Sequence, residues 1–299
     1  MGHSVTDLAH GLESLGLKRG DVVLVTASLR AMGEVDEERP LALIHALLEV
    51  VGAEGTIVGL AFNQSFLFPW RHRNHVVTER TQPITGGFAA ALVSWPGALR
   101  SLHPTNSFVA LGRLAQEVVA GHDETATCFQ PIQRLLDYDG KMALVGCVES
   151  CPGFSTVHLA QERLGLATRS ILSGRQGVYF EREGEIRLFR RLDIPGCSRG
   201  FYKLYSQYLQ KAILTVGHVG DAYSIAANLR QTFDVDRQVL ARDPRSALCD
   251  DPRCFSCRGT RLYNKRDMPR YFLSQMPVLV NRTMSRLHRS TPAMGEGIR

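Results

Sequence analysis

His158 stands shortly after a Pro-Gly break at 152–153, inside the run Phe154–Glu162, Phe-Ser-Thr-Val-His-Leu-Ala-Gln-Glu. Before the break lies an apolar stretch, Met142–Cys147, that reads as a buried strand, and after it the pattern turns helical. A histidine at such a junction sits at the carboxyl edge of a strand, where open α/β sheets place ligands. Imidazole exchanges a proton near neutral pH, so His158 is a candidate general base. The alternative is a histidine hydrogen-bonded inside the core. A base of this kind works best when a carboxylate fixes its tautomer. Asp193, which follows the strand-like Ile186–Leu192, is the candidate orienter.

Three further groups could bind or react. Val25–Arg30 ends a buried strand in small polar residues, so Ser28, Leu29 and Arg30 could present backbone N–H groups, a hydroxyl and a guanidinium to an anionic ligand. The segment Arg100–Phe108 gathers Ser101, His103 and Ser107, with Pro104 holding His103 extended. That segment is either a ligand site or a polar turn. Cys249, Cys254 and Cys257 follow a Cys-x4-Cys-x2-Cys spacing, and Cys197 is the best fourth thiol. This matches half of a structural zinc site; the alternative is a set of unrelated buried thiols. Cys128, Cys147 and Cys151 lack such spacing and read as packing residues.

The elements that must position these groups alternate. Helical patterns at Val5–Leu17, Leu41–Val51, Gly86–Val93, Ala115–Ala120, Ile132–Tyr138, Gly200–Ala212, Asp221–Phe233 and Val235–Ala241 are interleaved with strands. Strands are read at 22–25, Gly55–Leu60, Ser107–Leu111 and Met142–Cys147, then in short segments at Ser170–Leu172, Gly177–Phe180 and Ile186–Leu192. Asn63–Thr85 reads as irregular. Such alternation predicts an α/β layered fold.

The chain has 299 residues, 44% of them hydrophobic, enough for a sizeable core. No apolar run approaches the roughly 18 residues of a membrane span, and no secretion signal opens the sequence, so a cytoplasmic protein without membrane contact is expected. The net charge of +6 resides in the tail: from Arg258 on, nine Lys/Arg face two Asp/Glu. Residues 1–258 are therefore read as the catalytic domain and 259–299 as a basic, solvated extension. No aromatic-basic platform accompanies the charge, so nucleic acid is not an expected partner.

Taken together, the landmarks resemble the antibiotic N-acetyltransferase family, the aminoglycoside 3-N-acetyltransferases. They are Leu-Gly-Leu-x2-Gly-Asp at 15–21, Ala-Ser-Leu-Arg at 27–30 and Glu-Val-Val-Gly-x-Glu-Gly-Thr at 49–56, then Arg-Ser-x-His-Pro-x2-Ser at 100–107, Asp-Gly-Lys-x2-Leu-x-Gly at 139–146 and His-Leu-Ala at 158–160. Arg242-Asp243-Pro244 followed by Cys254 and Cys257 is similar to the apramycin-type members. The resemblance implies a three-layer α/β/α sandwich distinct from the GNAT acetyltransferases, with acetyl-CoA as donor and direct transfer to a small-molecule amine. It implies that His158 is the base, that Asp193 matches a family acid, and that Ser28, Leu29, Arg30, Ser101, His103 and Ser107 line the coenzyme arm. It also strengthens a structural zinc on Cys197, Cys249, Cys254 and Cys257. The sequence leaves the oligomeric state open, with a homodimer among the candidates.

The chain departs from the family where charge matters. The family glutamate after His-Leu-Ala is Gln161, with Glu162 one step on and about 100° around the helix. A second family acid is Pro195, and the strand-end histidine is Thr26. The acceptor-side loop opened by Asn63 carries Arg71, His72, Arg73, His75 and Arg80 against Glu79. Asn63, Arg71 and Arg73 are thus expected to meet an anionic amine, such as an amino-sugar intermediate, because complementary fields favour encounter. The alternatives are an aminoglycoside-resistance acetyltransferase and a non-catalytic CoA-binding or zinc-stabilised interaction protein.

Overall fold

The apolar run at 22–25 becomes the middle of a seven-stranded sheet. Val23 and Val25 face one apolar cluster, and Val22 and Leu24 the other, as the two-residue period of a strand requires. The computed structural model describes residues 2–150 and 152–275. Met1, Cys151 and the tail from 276 lie outside the described residues.

In chain order the elements are α1 (Val5–Ser14), β1 (Val22–Ala27), α2 (Arg39–Val51), β2 (Thr56–Leu60), β3 (Val76–Val77), α3 (Gly87–Val93), β4 (Leu99–Arg100), β5 (Phe108–Gly112) and α4 (Ala115–Val119). Then come α5 (Gln130–Asp137), β6 (Lys141–Val145), α6 (Thr156–Arg163), β7 (Gly177–Arg182), β8 (Glu185–Arg190), α7 (Tyr205–Gln210), β9 (Thr215–Val219), β10 (Ala222–Asn228) and α8 (Leu229–Arg242). The sheet order is β4-β5-β2-β1-β6-β10-β9. Its central strands β2, β1 and β6 are parallel, so their carboxyl ends open on one edge. One face is covered by α1, α2 and α3 through Leu8, Leu12, Leu43, Leu47 and Leu92. The other is covered by α4, α5, α6 and α8 through Val118, Ile132, Val157 and Phe233. This is the α/β/α sandwich expected. Among the described residues no helix is long and apolar enough to cross a membrane.

A second, three-stranded sheet of order β3-β7-β8 flanks the first. Its hairpin turns at Glu183 (φ 54°) and Gly184 (φ 77°), the paired positive φ of a two-residue turn that follows strand twist.

Three expectations are corrected. The helix read over Asp221–Phe233 is split: Ala222–Asn228 is β10, paired antiparallel with both β6 and β9. Small residues there permit either state, and sheet pairing decides. Asn228 then caps α8, its side chain accepting from the Arg230 and Gln231 N–H groups at 2.9 and 3.2 Å, a favoured N-cap arrangement. Ser170–Leu172 is not a strand but a turn with one bridge, Ser170 to Arg261. Finally, the fold does not stop at 258. Thr260, Arg261 and Asn264 are buried, and a helical segment runs over 267–275.

Candidate active site

The parallel strand ends open into a cavity of about 420 Å³, lined by Thr26, Ala27, Leu60, Phe62, Phe129, Phe154, His158 and Phe201 among others. Chain entry into α6 depends on Gly153. Its φ is +84°, and a Cβ there would lie 2.2 Å from Phe201 Cβ, so only glycine fits. This close approach places His158 between two rings. Phe129 stacks on it at 4.6 Å and 22°, and Phe201 meets it edge-on at 4.8 Å.

His158 Nδ1 lies 3.1 Å from Gln161 Oε1. The Gly196 N–H also points at this oxygen, at 3.5 Å, which fixes the amide with oxygen toward the imidazole. Nδ1 therefore carries the proton, and Nε2 presents its lone pair. Burial holds the His158 pKa down to about 4; the Gln161 contact acts in the opposite direction, while Arg261 and Arg191 add to the lowering. The imidazole is neutral at pH 7.

Asp193 does not make the orienting contact. Its Oδ2 accepts the Cys128 N–H at 2.6 Å, and Cys128, Glu162 and Asp193 converge within 4.8 Å. Gln161, one helical turn from the histidine, holds the ring instead. Glu162 points away from the imidazole, as its 100° offset predicts, and accepts the Phe129 N–H at 3.0 Å.

The six expected coenzyme residues do not line one groove. Ser28, Leu29 and Arg30 line an open cavity of about 540 Å³ with Arg39. It adjoins the His158 chamber through Ala27, which lines both. Ser101, His103 and Ser107 instead border a separate cavity of about 910 Å³ between β4 and the β7–β8 hairpin. Their polar atoms are largely spent inward. His103 Nδ1 accepts the Thr105 and Asn106 N–H groups at 3.2 and 2.9 Å. Ser101 Oγ accepts from Phe108 N and meets His122. Ser107 Oγ donates to Ala61 O and accepts from Arg100 Nε. Burial and then His122 push the His103 pKa well below the usual histidine value.

Of the acceptor-side residues, Asn63 is buried, bridging Pro104 O and Arg100 at 3.1 and 2.8 Å. Arg71 and Arg73 are exposed, Arg71 lying over the Phe68 ring at 5.5 Å. Neither lines the His158 chamber.

The four cysteines do meet. Cys197, Cys249, Cys254 and Cys257 present sulfurs within 4.8 Å of one another, across elements far apart in sequence. A tetrahedral zinc with Zn–S bonds of about 2.3 Å needs four soft sulfurs about 3.8 Å apart. The donor set and its spacing fit that ion.

Arg261 was not among the sequence candidates. Its guanidinium, 1% exposed, donates to Ile194 O at 2.7 Å and Pro195 O at 2.8 Å. It thereby anchors the 193–197 strap, whose Gly196 meets Gln161 and whose Cys197 joins the thiol cluster. Phe129 and Phe201 were also missed. All three act through contacts distant in sequence, which no local spacing signals.

The sequence model of the family described as "Aminoglycoside 3-N-acetyltransferase" matches residues 24–241, which span β1 to α8. Aminoglycoside N(3)-acetyltransferase IX of Micromonospora chalcea is 32% identical over 203 residues, covering 62% of this chain and 71% of that protein. Aminoglycoside N(3)-acetyltransferase VIII of Streptomyces fradiae is 28% identical over 211 residues, 64% of this chain and 71% of that one. Among solved structures, a mutant of aminoglycoside acetyltransferase AAC(3)-IVa in complex with a gentamicin has a TM-score of 0.71 at 23% identity, covering 83% of this chain and 92% of that one. AAC-IIIb binary with CoASH has a TM-score of 0.69 at 24% identity, covering 81% and 97%. At those identities the two structures share the fold. The match over 24–241 goes further: the chain belongs to the aminoglycoside 3-N-acetyltransferase family and is an N-acyltransferase.

Proposed function

We propose that the protein transfers the acetyl group of acetyl-CoA to a primary amine of an aminoglycoside-type amino sugar, with His158 Nε2 as the base. One observation carries this reading. A neutral imidazole, its Nδ1 engaged by Gln161, lines a chamber that adjoins the Ser28–Arg39 mouth. Arg30 and Arg39, both exposed at that mouth, suit the phosphates of the donor. The relatives bound to CoASH and to a gentamicin support the two substrate classes.

In the reaction, the amine nitrogen bonds to the thioester carbonyl carbon and the C–S bond breaks. An imidazole with a pKa near 4 cannot strip a resting ammonium. It can take the proton as attack makes the nitrogen acidic, and can pass it to the departing thiolate. Apolar walls exclude water that would otherwise hydrolyse the thioester. A thiol-release assay with acetyl-CoA against gentamicin, apramycin and simpler amino sugars tests the assignment. No release with any amine would end it.

A second reading of the acceptor rests on charge. Among the described residues no carboxylate lines the His158 chamber, so a polycation finds no anchor there and an amino sugar of low or negative charge is favoured. Preference for an amino-sugar phosphate over gentamicin in the same panel would select this reading.

Gln161→Glu puts a carboxylate where the neutral amide now orients His158. It should raise the imidazole pKa by about one to three units, followed as the histidine titration in NMR spectra. An unmoved titration would show that Gln161 does not face the ring in solution.

The thiol cluster is proposed to hold one structural zinc, tying the strap to the end of the described chain. Elemental analysis of protein purified without added zinc should find about one equivalent per chain. Chelation should lower the melting temperature, because metal binding contributes directly to folding. Metal-free protein with the same melting temperature refutes the site.

A further inference from the structure

Behind the chamber, Glu162 and Asp193 form an acid pair that grips both segments framing His158. Glu162 accepts the N–H of Phe129, whose ring stacks on the imidazole. Asp193 accepts the N–H of Cys128 and begins the strap whose Gly196 faces Gln161. An oxygen of each carboxyl group lies within 4.8 Å of an oxygen of the other. Among the described residues neither is in an ion pair.

The surroundings decide the charge state. The 191–193 segment brings Arg191, but its Nε donates to the backbone carbonyl of Asp193 at 3.1 Å. The lead-in to α5 brings the Thr127 hydroxyl and the Cys128 thiol, which burial keeps protonated. On α6 itself His158 is neutral, and the guanidinium of Arg163 donates to Gln133 at 3.1 Å. Two buried carboxyl groups this close, with neither in an ion pair, oppose each other's ionisation, which favours a proton on Glu162.

We propose that Glu162 and Asp193 share one proton and act as a positioning clasp, holding Phe129 against His158 and the strap against Gln161, and that losing this proton loosens the clasp and slows turnover. Burial, then Asp193, raises the acid of Glu162 to about 8, which sets the window. A pKa raised by folding gives stability that is complete below the unfolded value and is lost as pH rises through the folded one. The clasp therefore holds at neutral pH and fails on the alkaline side. Neither residue needs to touch substrate; both act through Phe129 and Gln161.

The role in turnover rests on reading His158 as the base, and the shared proton does not. Three measurements separate them, each on the whole protein and its Glu162→Gln variant. The amide can still accept from Phe129 and donate to Asp193, but it cannot titrate. At saturating substrates, wild-type kcat should fall about tenfold from pH 7 to pH 9, as a group titrating near 8 requires, while in Glu162→Gln the ratio of kcat at the two pH values should stay within about twofold. The wild-type melting temperature should drop over the same interval more than the variant's. Infrared difference spectra should show a carboxylic acid band at pH 7 that titrates near pH 8 in the wild type and is missing from the variant. An alkaline fall that persists in Glu162→Gln overturns the gating of turnover. Absence of the band and of the differential melting overturns the shared proton itself. If His158→Ala kept full turnover, the base assignment would fail while the melting and infrared arms still decided the clasp.

Discussion

His158→Ala is expected to lower kcat/KM by about 10²–10⁴-fold, the usual contribution of a positioned general base, while the affinity for CoA changes little. The histidine lines the chamber with Nε2 free, whereas the residues suited to the coenzyme, Ser28 and Arg30, border the adjoining mouth. Proton removal and donor binding are therefore separable. Steady-state kinetics gives the first and calorimetric titration of CoA the second. Removing the ring also leaves a hole between Phe129 and Phe201, so His158→Gln, which fills more of it, is the companion variant. Both should be slow. Turnover within about threefold of wild type in either would remove His158 from the chemistry.

Arg261→Ala is expected to lower the unfolding free energy by about 2–5 kcal/mol and to reduce turnover without altering the chamber's lining. The guanidinium donates to two carbonyls of a buried strap, Ile194 O and Pro195 O. A buried acceptor left without a partner costs about 1–3 kcal/mol. Arg261→Lys should recover only part of the loss, because one ammonium cannot reproduce a fork that serves two carbonyls. Urea unfolding of the three proteins is the measurement. A loss below about 1 kcal/mol in Arg261→Ala would mean that the strap is held by its other ties.

His158 and the cysteines were legible because local rules govern them. A strand, a Pro-Gly break and a helix put His158 at a sheet edge whatever else surrounds it, and the thiol spacing anticipates that the four sulfurs converge. The polar turn at 101–107 misled because sequence shows how many donors and acceptors a segment carries, not where they are spent. His103 spends its Nδ1 on its own turn. Asp193 was correctly placed at the end of a strand, yet its carboxylate went to Cys128 and Glu162. Sequence cannot tell two carboxyls behind a phenylalanine from one beside a histidine. The Asp221–Phe233 segment was misread because pairing with β6 and β9 outweighs a helix-compatible pattern. Arg261 fell beyond the expected domain boundary because net charge made the tail look solvated, while this one cation is buried.

The strap at 193–197 also imposes an order on synthesis. Every strand of the main sheet has been made once Asn228 leaves the ribosome, and the flanking layers are complete by Arg242. Arg261 and three of the four cysteines come later. A nascent chain at that stage can assemble its sheet and chamber, yet Ile194 O and Pro195 O still lack the guanidinium that joins them, and Cys197 lacks the three thiols it meets. The strap that faces Gln161 is therefore completed last, when Arg261 and the late cysteines reach it.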